Sequence, residues 1–289
     1  MKQRHTLKAG VLFGSALLLA AGSASAATWS DTFIGYRYGT DFHEPNNPED
    51  VQKHVVQLGH ASGYAYGSNF FNVDVLMSDD KDPANGATRG DGGSGAQEIY
   101  LAYRTQLHLS KVTGQSFAFG PVKDLALTGG FDLNTKNTAV APKKQMFVIG
   151  PTLKFGLPNN GFADFSVLYR TEKNRNNLAP TQKDIRFDDT YQLSLAWKAP
   201  FQLGPAPFKF QGFADYIGTK GNNTKQEILM RASLMADVGQ LVAGKKDTVY
   251  AGVGYEYWHN KFGNNPGTGA QPGLGLKTTA PTLNLEWHL

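Results

Sequence analysis

Pro281-Thr282-Leu283-Asn284-Leu285-Glu286-Trp287-His288-Leu289 puts an apolar side chain at every odd position up to residue 289. In an extended chain successive side chains point to opposite faces, so Leu283, Leu285, Trp287 and Leu289 share one face and Thr282, Asn284, Glu286 and His288 the other. A final strand with one oily and one wet face fits a membrane β-barrel. There the last strand pairs with the first, no sheet edge stays open, and lipid and water meet opposite faces. Taken alone, the segment also fits an edge strand of a soluble sandwich.

The same alternation recurs upstream. Phe71, Val73, Val75 and Met77 alternate with Asn72, Asp74 and Ser78, and Ile99, Leu101, Tyr103 and Leu107 with Glu98, Tyr100, Arg104, Gln106 and His108. Tyr191, Leu193, Leu195 and Trp197 oppose Gln192, Ser194 and Lys198, and Val249, Val253, Tyr255 and Tyr257 oppose Tyr250, Glu256 and Trp258. This period of two is that of half-buried strands, and helical spacing accounts for none of it. With the less regular segments the chain reads as about twelve strands, near 30–40, 53–64, 69–78, 97–109, 123–134, 144–156, 162–172, 187–198, 207–218, 226–238, 248–259 and 280–289. The expected fold class is all-β, a closed antiparallel transmembrane barrel forming one domain over residues 27–289. Polar, Gly- and Pro-rich stretches at 79–95, 134–142, 173–183 and 263–275 read as long extracellular loops, and 156–161 as a short periplasmic turn.

The opening of the chain agrees with export. Lys2, Arg4 and Lys8 precede an unbroken small and apolar run, and Ala24-Ser25-Ala26 supplies a cleavage pattern, so residues 1–26 read as a signal peptide that is removed. Taking those three cations from a formal charge of +4 leaves +1, too little for a basic face that would bind nucleic acid. With no cysteine, disulfides and thiolate metal sites are excluded. The expected location is the outer membrane of a Gram-negative bacterium, with the C-terminal strand engaging the barrel-assembly machinery and the outer face meeting lipid.

Four stretches carry a resemblance. Ser116 to Asn137, SFAFGPVKDLALTGGFDLNTKN, holds a Phe119-Gly120-Pro121 turn, Asp124 after it and a strand reaching Asp132; Gly156-Leu157-Pro158 precedes another strand. Trp197-Lys198-Ala199-Pro200 is followed by the strand from Phe210 to Gly218, and Tyr257-Trp258-His259 lies near the C-terminus. In this order they resemble the Tsx-type nucleoside-specific outer-membrane channels. The resemblance covers essentially all of residues 27–289 and implies a monomeric twelve-stranded barrel with a narrow lumen that passes nucleosides. The loops and the N-terminal part depart from that family, lacking its Trp- and His-rich opening.

Giving the apolar parity of each strand to lipid turns Arg37, Arg104, Lys154, Arg170, Lys198, Lys209 and Arg231 inward, with Asp74, Glu98, Asp132, Asp164, Asp215, Glu256 and Glu286. These charges balance, and each has two readings: structural pairing across a narrow lumen, or hydrogen bonding to a solute. Phe33, Phe70, Tyr100, Phe213, Tyr250 and Trp258 share the inward parity. Aromatic faces stack on flat bases, and guanidinium and carboxylate groups bond sugar hydroxyls, so these aromatics with Arg37, Asp74, Arg104, Asp132, Asp215, Arg231 and Glu256 form the candidate substrate path. The competing reading is that the rings merely fill a small barrel.

No G-x-S-x-G, H-E-x-x-H, P-loop or dinucleotide fingerprint occurs, and the histidines are scattered without nucleophile or carboxylate partners. Asp79, Asp80, Asp82, Asn85 and Asp91 depart from the spacing of an EF-hand loop. Neither catalysis, nor a metal, nor a cofactor is therefore expected. The expected function is a passive channel for nucleosides and related small polar solutes; the alternatives are a general small-solute porin and an adhesin or receptor acting through its loops.

Overall fold

The computed structural model describes residues 27–85, 95–268 and 272–289; the expected signal peptide and the glycine-rich stretch around Gly92 lie outside them. The strands are β1 (Trp29–Phe42), β2 (Val51–Tyr64), β3 (Gly67–Ser78), β4 (Gln97–His108), β5 (Val122–Lys136), β6 (Gln145–Leu157) and β7 (Gly161–Arg175). They continue as β8 (Asp184–Arg186), β9 (Thr190–Leu203), β10 (Ala206–Ile217), β11 (Glu227–Asp237), β12 (Val249–His259) and β13 (Lys277–His288). All pairings are antiparallel between sequence neighbours except two. β7 pairs with β9 past the short β8, and β1 pairs with β13, from Phe33 opposite His288 to Tyr38 opposite Leu283. These two pairings close a twelve-stranded barrel, with β8 a short addition beside the end of β7.

Alternation decides which side chains face out. Leu283, Leu285 and Trp287 are 61, 46 and 55% exposed while Thr282 and Glu286 are buried, so apolar groups cover the outside and polar groups fill the inside. Outward aromatics gather at both ends of the wall. Trp197 packs on Phe210 and Phe201 on Phe208 toward the end that carries the termini, and Phe147, Tyr169, Tyr191 and Tyr216 lie toward the other. The interior is packed as well as polar. Met146, Val148 and Leu168 form a buried cluster on β6 and β7, beside a ladder in which Thr128 meets Thr152 at 2.5 Å and Thr152 meets Ser166 at 2.7 Å.

The two ends differ. At the terminal end β2 and β3 are joined by Ala65-Tyr66, and β9 and β10 by Gly204-Pro205. Two other connections there contain the short helices α1 (Leu109–Thr113) and α2 (Val238–Ala243), which the apolar alternation does not foretell. α2 is capped by Asp237, which accepts from the Gln240 N–H at 2.9 Å, and ends on left-handed Gly244. The three longest connections, 79–96, 176–189 and 260–276, leave the opposite end.

The strand expected over 187–198 runs instead over 190–203, through Pro200. Its partner on one side, β7, reaches only to Phe162 opposite Lys198, so the missing Pro200 N–H falls where no strand stands. The Pro200 carbonyl on that side accepts from the Asn159 amide at 3.1 Å.

Candidate functional site

The lumen holds its charges in tiers. In the middle, Asp74 on β3 accepts from Arg37 on β1 at 3.2 Å and from Arg231 on β11 at 3.1 Å. Four strands separate β3 from β11 along the wall, so the second bond crosses the lumen. The Nε of Arg231 also bonds Glu256 at 2.6 Å, while Gln57 and Asn72 donate to the other Asp74 oxygen at 3.0 and 2.5 Å. Across from this strut, Arg104 bonds Asp132 at 2.6 Å and the carbonyls of Tyr103 and Phe131, lying over Gly130, where a Cβ would stand 2.6 Å from its Cδ. Tyr100 donates to Asp132 at 2.7 Å and accepts from Lys144 at 3.2 Å.

Exposure in this tier is uneven. The side chains of Arg231 and Arg104 are 26 and 23% exposed, those of Asp74, Glu256 and Asp132 2, 3 and 8%. The acids sit behind the guanidinium groups, which carry the exposed surface of these pairs. Asp215 differs, being half-buried with a bond from the Ser194 hydroxyl at 2.5 Å. Phe213 lies beside it on β10, with the Arg231 guanidinium carbon 5.9 Å from its ring centroid.

Toward the terminal end, Lys209 bonds Glu286 at 2.6 Å and stands 3.7 Å over the Tyr250 ring, whose hydroxyl bonds Asp247. His288 bonds Asp31 at 2.6 Å, tying the last strand to the first, and Lys154 bonds Asp164 at 2.6 Å. Phe33 lies 5.4 Å from His288 and covers Gly59, where any Cβ would strike its ring. Phe70, 41% exposed, carries the inward parity on β3 opposite Arg104 of β4.

At the loop end Glu44, between β1 and β2, is held by Lys53 of β2, by Lys261 of the β12–β13 loop at 3.1 Å and by Lys136 of β5 at 3.5 Å. Burial works against ionisation of Glu44, but Lys136, Lys261 and Lys53 together outweigh it and hold its carboxyl well below the ordinary range. Lys136 also bonds Asp82 at 2.7 Å. On the facing wall Glu172 takes Arg170 at 2.6 Å and Lys220 at 2.9 Å. Trp258 donates to Glu227 at 2.8 Å and lies under Lys261 at 4.8 Å, with Phe262 edge-on at 4.8 Å.

All thirteen candidate residues of the sequence reading thus lie on the inward parity, in different settings. Arg37, Asp74, Arg231 and Glu256 form one network and Tyr100, Arg104 and Asp132 another. Phe70 is exposed, Phe213 and Trp258 are half-buried beside Arg231 and Lys261, and Tyr250 is buried under Lys209. Sequence reasoning missed Glu44, Lys53, Lys136, Lys220 and Lys261. Glu44, Lys220 and Lys261 lie in loops, where no alternation marks direction.

No family model matches the chain, and no curated protein matches it. Solved structures do resemble it. The translocator domain of the autotransporter NalP from Neisseria meningitidis has 9% identity and a TM-score of 0.47, over 96% of this chain and 95% of that one. The NanC porin has 9% identity and a TM-score of 0.44, over 90% and 100%. The KdgM porin in complex with disordered oligogalacturonate has 10% and 0.42, over 88% and 98%. With these TM-scores below 0.5, the functional reading rests on the residues of this chain.

Proposed function

We propose that the protein is a passive outer-membrane channel for small polar solutes, with nucleosides as its favoured class. A closed barrel, apolar outside and polar within, with aromatic belts at both ends of its wall, is the form in which strands cross a lipid bilayer. The observation that carries the channel reading is the Arg231–Asp74 bond across the lumen beside partly exposed Arg104, Phe213 and Asp215. It sets guanidinium donors, a ring face and a carboxylate around one narrow passage. Ring faces stack any base at about 1 to 3 kcal/mol each, and the charged groups bond base carbonyls and ribose hydroxyls. Weak stations in series suit transport, because a solute must also leave.

The resemblance of Ser116 to Asn137 and of Tyr257-Trp258-His259 to the Tsx-type channels points to the same permeant. The test is current through single channels in a planar bilayer. Adenosine and thymidine are expected to reduce the current reversibly, and sugars of equal size to reduce it less. If nucleosides never reduce it while sugars pass, the channel is a general one.

A further inference from the structure

We infer that the outer wall at the loop end carries a site for the phosphorylated headgroup of an outer-leaflet lipid, centred on Lys173 and Arg186. This rests on the outer-membrane reading but not on the permeant. Lys173 near the end of β7 and Arg186 of β8 are directly paired across the two strands, on the outward parity of Tyr169 and Thr171. Directly opposed side chains on one sheet face stand about 5 Å apart at Cβ, and like charges so placed repel. Neither cation has a carboxylate partner among the described residues. Nearby Asp189 is taken by the Tyr169 hydroxyl, and Glu172 by Arg170 and Lys220 inside the wall.

Among the described residues the two cations thus stand side by side without an ion pair of their own, and an anion relieves their repulsion. Arg175 extends the positive stretch along β7, with Asp184 as its opposite number on β8. Beside the two cations is a cavity of about 100 Å³, lined also by Gln145, Phe147, Thr171 and Phe187 and by Glu172 and Asp189, whose carboxylates are engaged by Arg170, Lys220 and Tyr169. Phe147 is 57% exposed on the outward parity of β6, and Tyr169 and Tyr191 lie in the same belt. Interfacial aromatics sit at headgroup level, so cations just beyond them meet headgroup phosphates, and the apolar side of the cavity lies against the acyl boundary. Charge and depth together commit the site to a lipid phosphate over a free one. It takes oxyanions through two adjacent exposed cations, with Gln145 as a neutral donor.

The test uses the full folded barrel in detergent micelles, titrated with diphosphoryl lipid A, with dephosphorylated lipid A and with inorganic phosphate, bound lipid being counted by native mass spectrometry. The diphosphoryl form is expected to bind at least about tenfold tighter than the dephosphorylated one, and K173Q/R186Q to remove that preference. Both side chains are exposed, and heat-modifiable migration verifies that the variant folds. K173R/R186K keeps both charges and is expected to retain binding. Equal binding of the two lipid forms, or an unchanged preference in K173Q/R186Q, overturns the inference, as does saturation of the site by inorganic phosphate. Single-channel conductance of K173Q/R186Q separates this result from the channel reading, since neither side chain faces the lumen.

Discussion

Arg231 on β11 and Asp74 on β3 meet at 3.1 Å across the barrel, joining walls that lie four intervening strands apart. The strut narrows the lumen and ties its two sides together. Asp74 is covered at this contact, and Arg231 is partly exposed.

Removing the strut from either end has different consequences. Arg231→Ala deletes a partly exposed side chain from the narrow tier and is expected to raise single-channel conductance. Asp74→Asn leaves buried Arg37 without its counter-charge, a loss of about 3 to 5 kcal/mol for a buried pair broken on one side. Denaturant unfolding in lipid checks the second, and bilayer recordings the first.

Phe70, exposed, and Phe213, half-buried in the central tier, are expected to be stacking stations. Phe213→Ala and Phe70→Ala should each weaken nucleoside occlusion of current by about tenfold while ion conductance persists or rises. Tyr250→Ala acts differently. Its ring lies under Lys209, so the substitution is expected to loosen the Lys209–Glu286 pair with less effect on occlusion. Occlusion titrations on the three variants distinguish these outcomes.

On the outer wall, arginine in place of Leu195, Val253 or Leu285 is expected to cost about 2 to 4 kcal/mol near the bilayer midplane. At Ser194, on the opposite parity, it is expected to be accepted, since Asp215 stands within reach of that position. Thr128, although also inward, is a poorer host because it is packed against Thr152. Equal destabilisation at 194 and 253 in lipid unfolding would show the parity to be misassigned.

The Glu44 clamp gives a pH prediction. Its carboxyl titrates well below the usual value of about 4.5, so its contribution is complete above that value and is lost only as pH falls through the lower folded value. The loop between β1 and β2 is thus expected to resist limited proteolysis equally at pH 7 and pH 5. Glu44→Gln leaves Lys53, Lys136 and Lys261 facing one another and is expected to make residues 43–50 sensitive at both.

Nearly all of the barrel was legible because an apolar outside and a polar inside impose a period of two, and Tyr191 to Trp197 or Leu283 to Leu289 show it without interruption. The end of β9 was not, because Pro200 reads as a stop unless the neighbouring strand is known to fall short of it. Inward direction could be read for Arg231 and Asp74, but not that they meet, since strand order places β3 across from β11 only after closure. The loop-end lysines escaped for a related reason. Lys261 precedes Phe262 at φ 62°, a conformation rare for an aromatic residue, which turns this stretch of the loop back toward Glu44.

The central claim is that small polar solutes pass through this barrel, and swelling of liposomes containing the folded protein measures that passage directly. In isotonic adenosine the liposomes are expected to swell faster than protein-free ones, and faster than the same liposomes in a sugar of equal size. Swelling in both solutes at the protein-free rate would contradict the account.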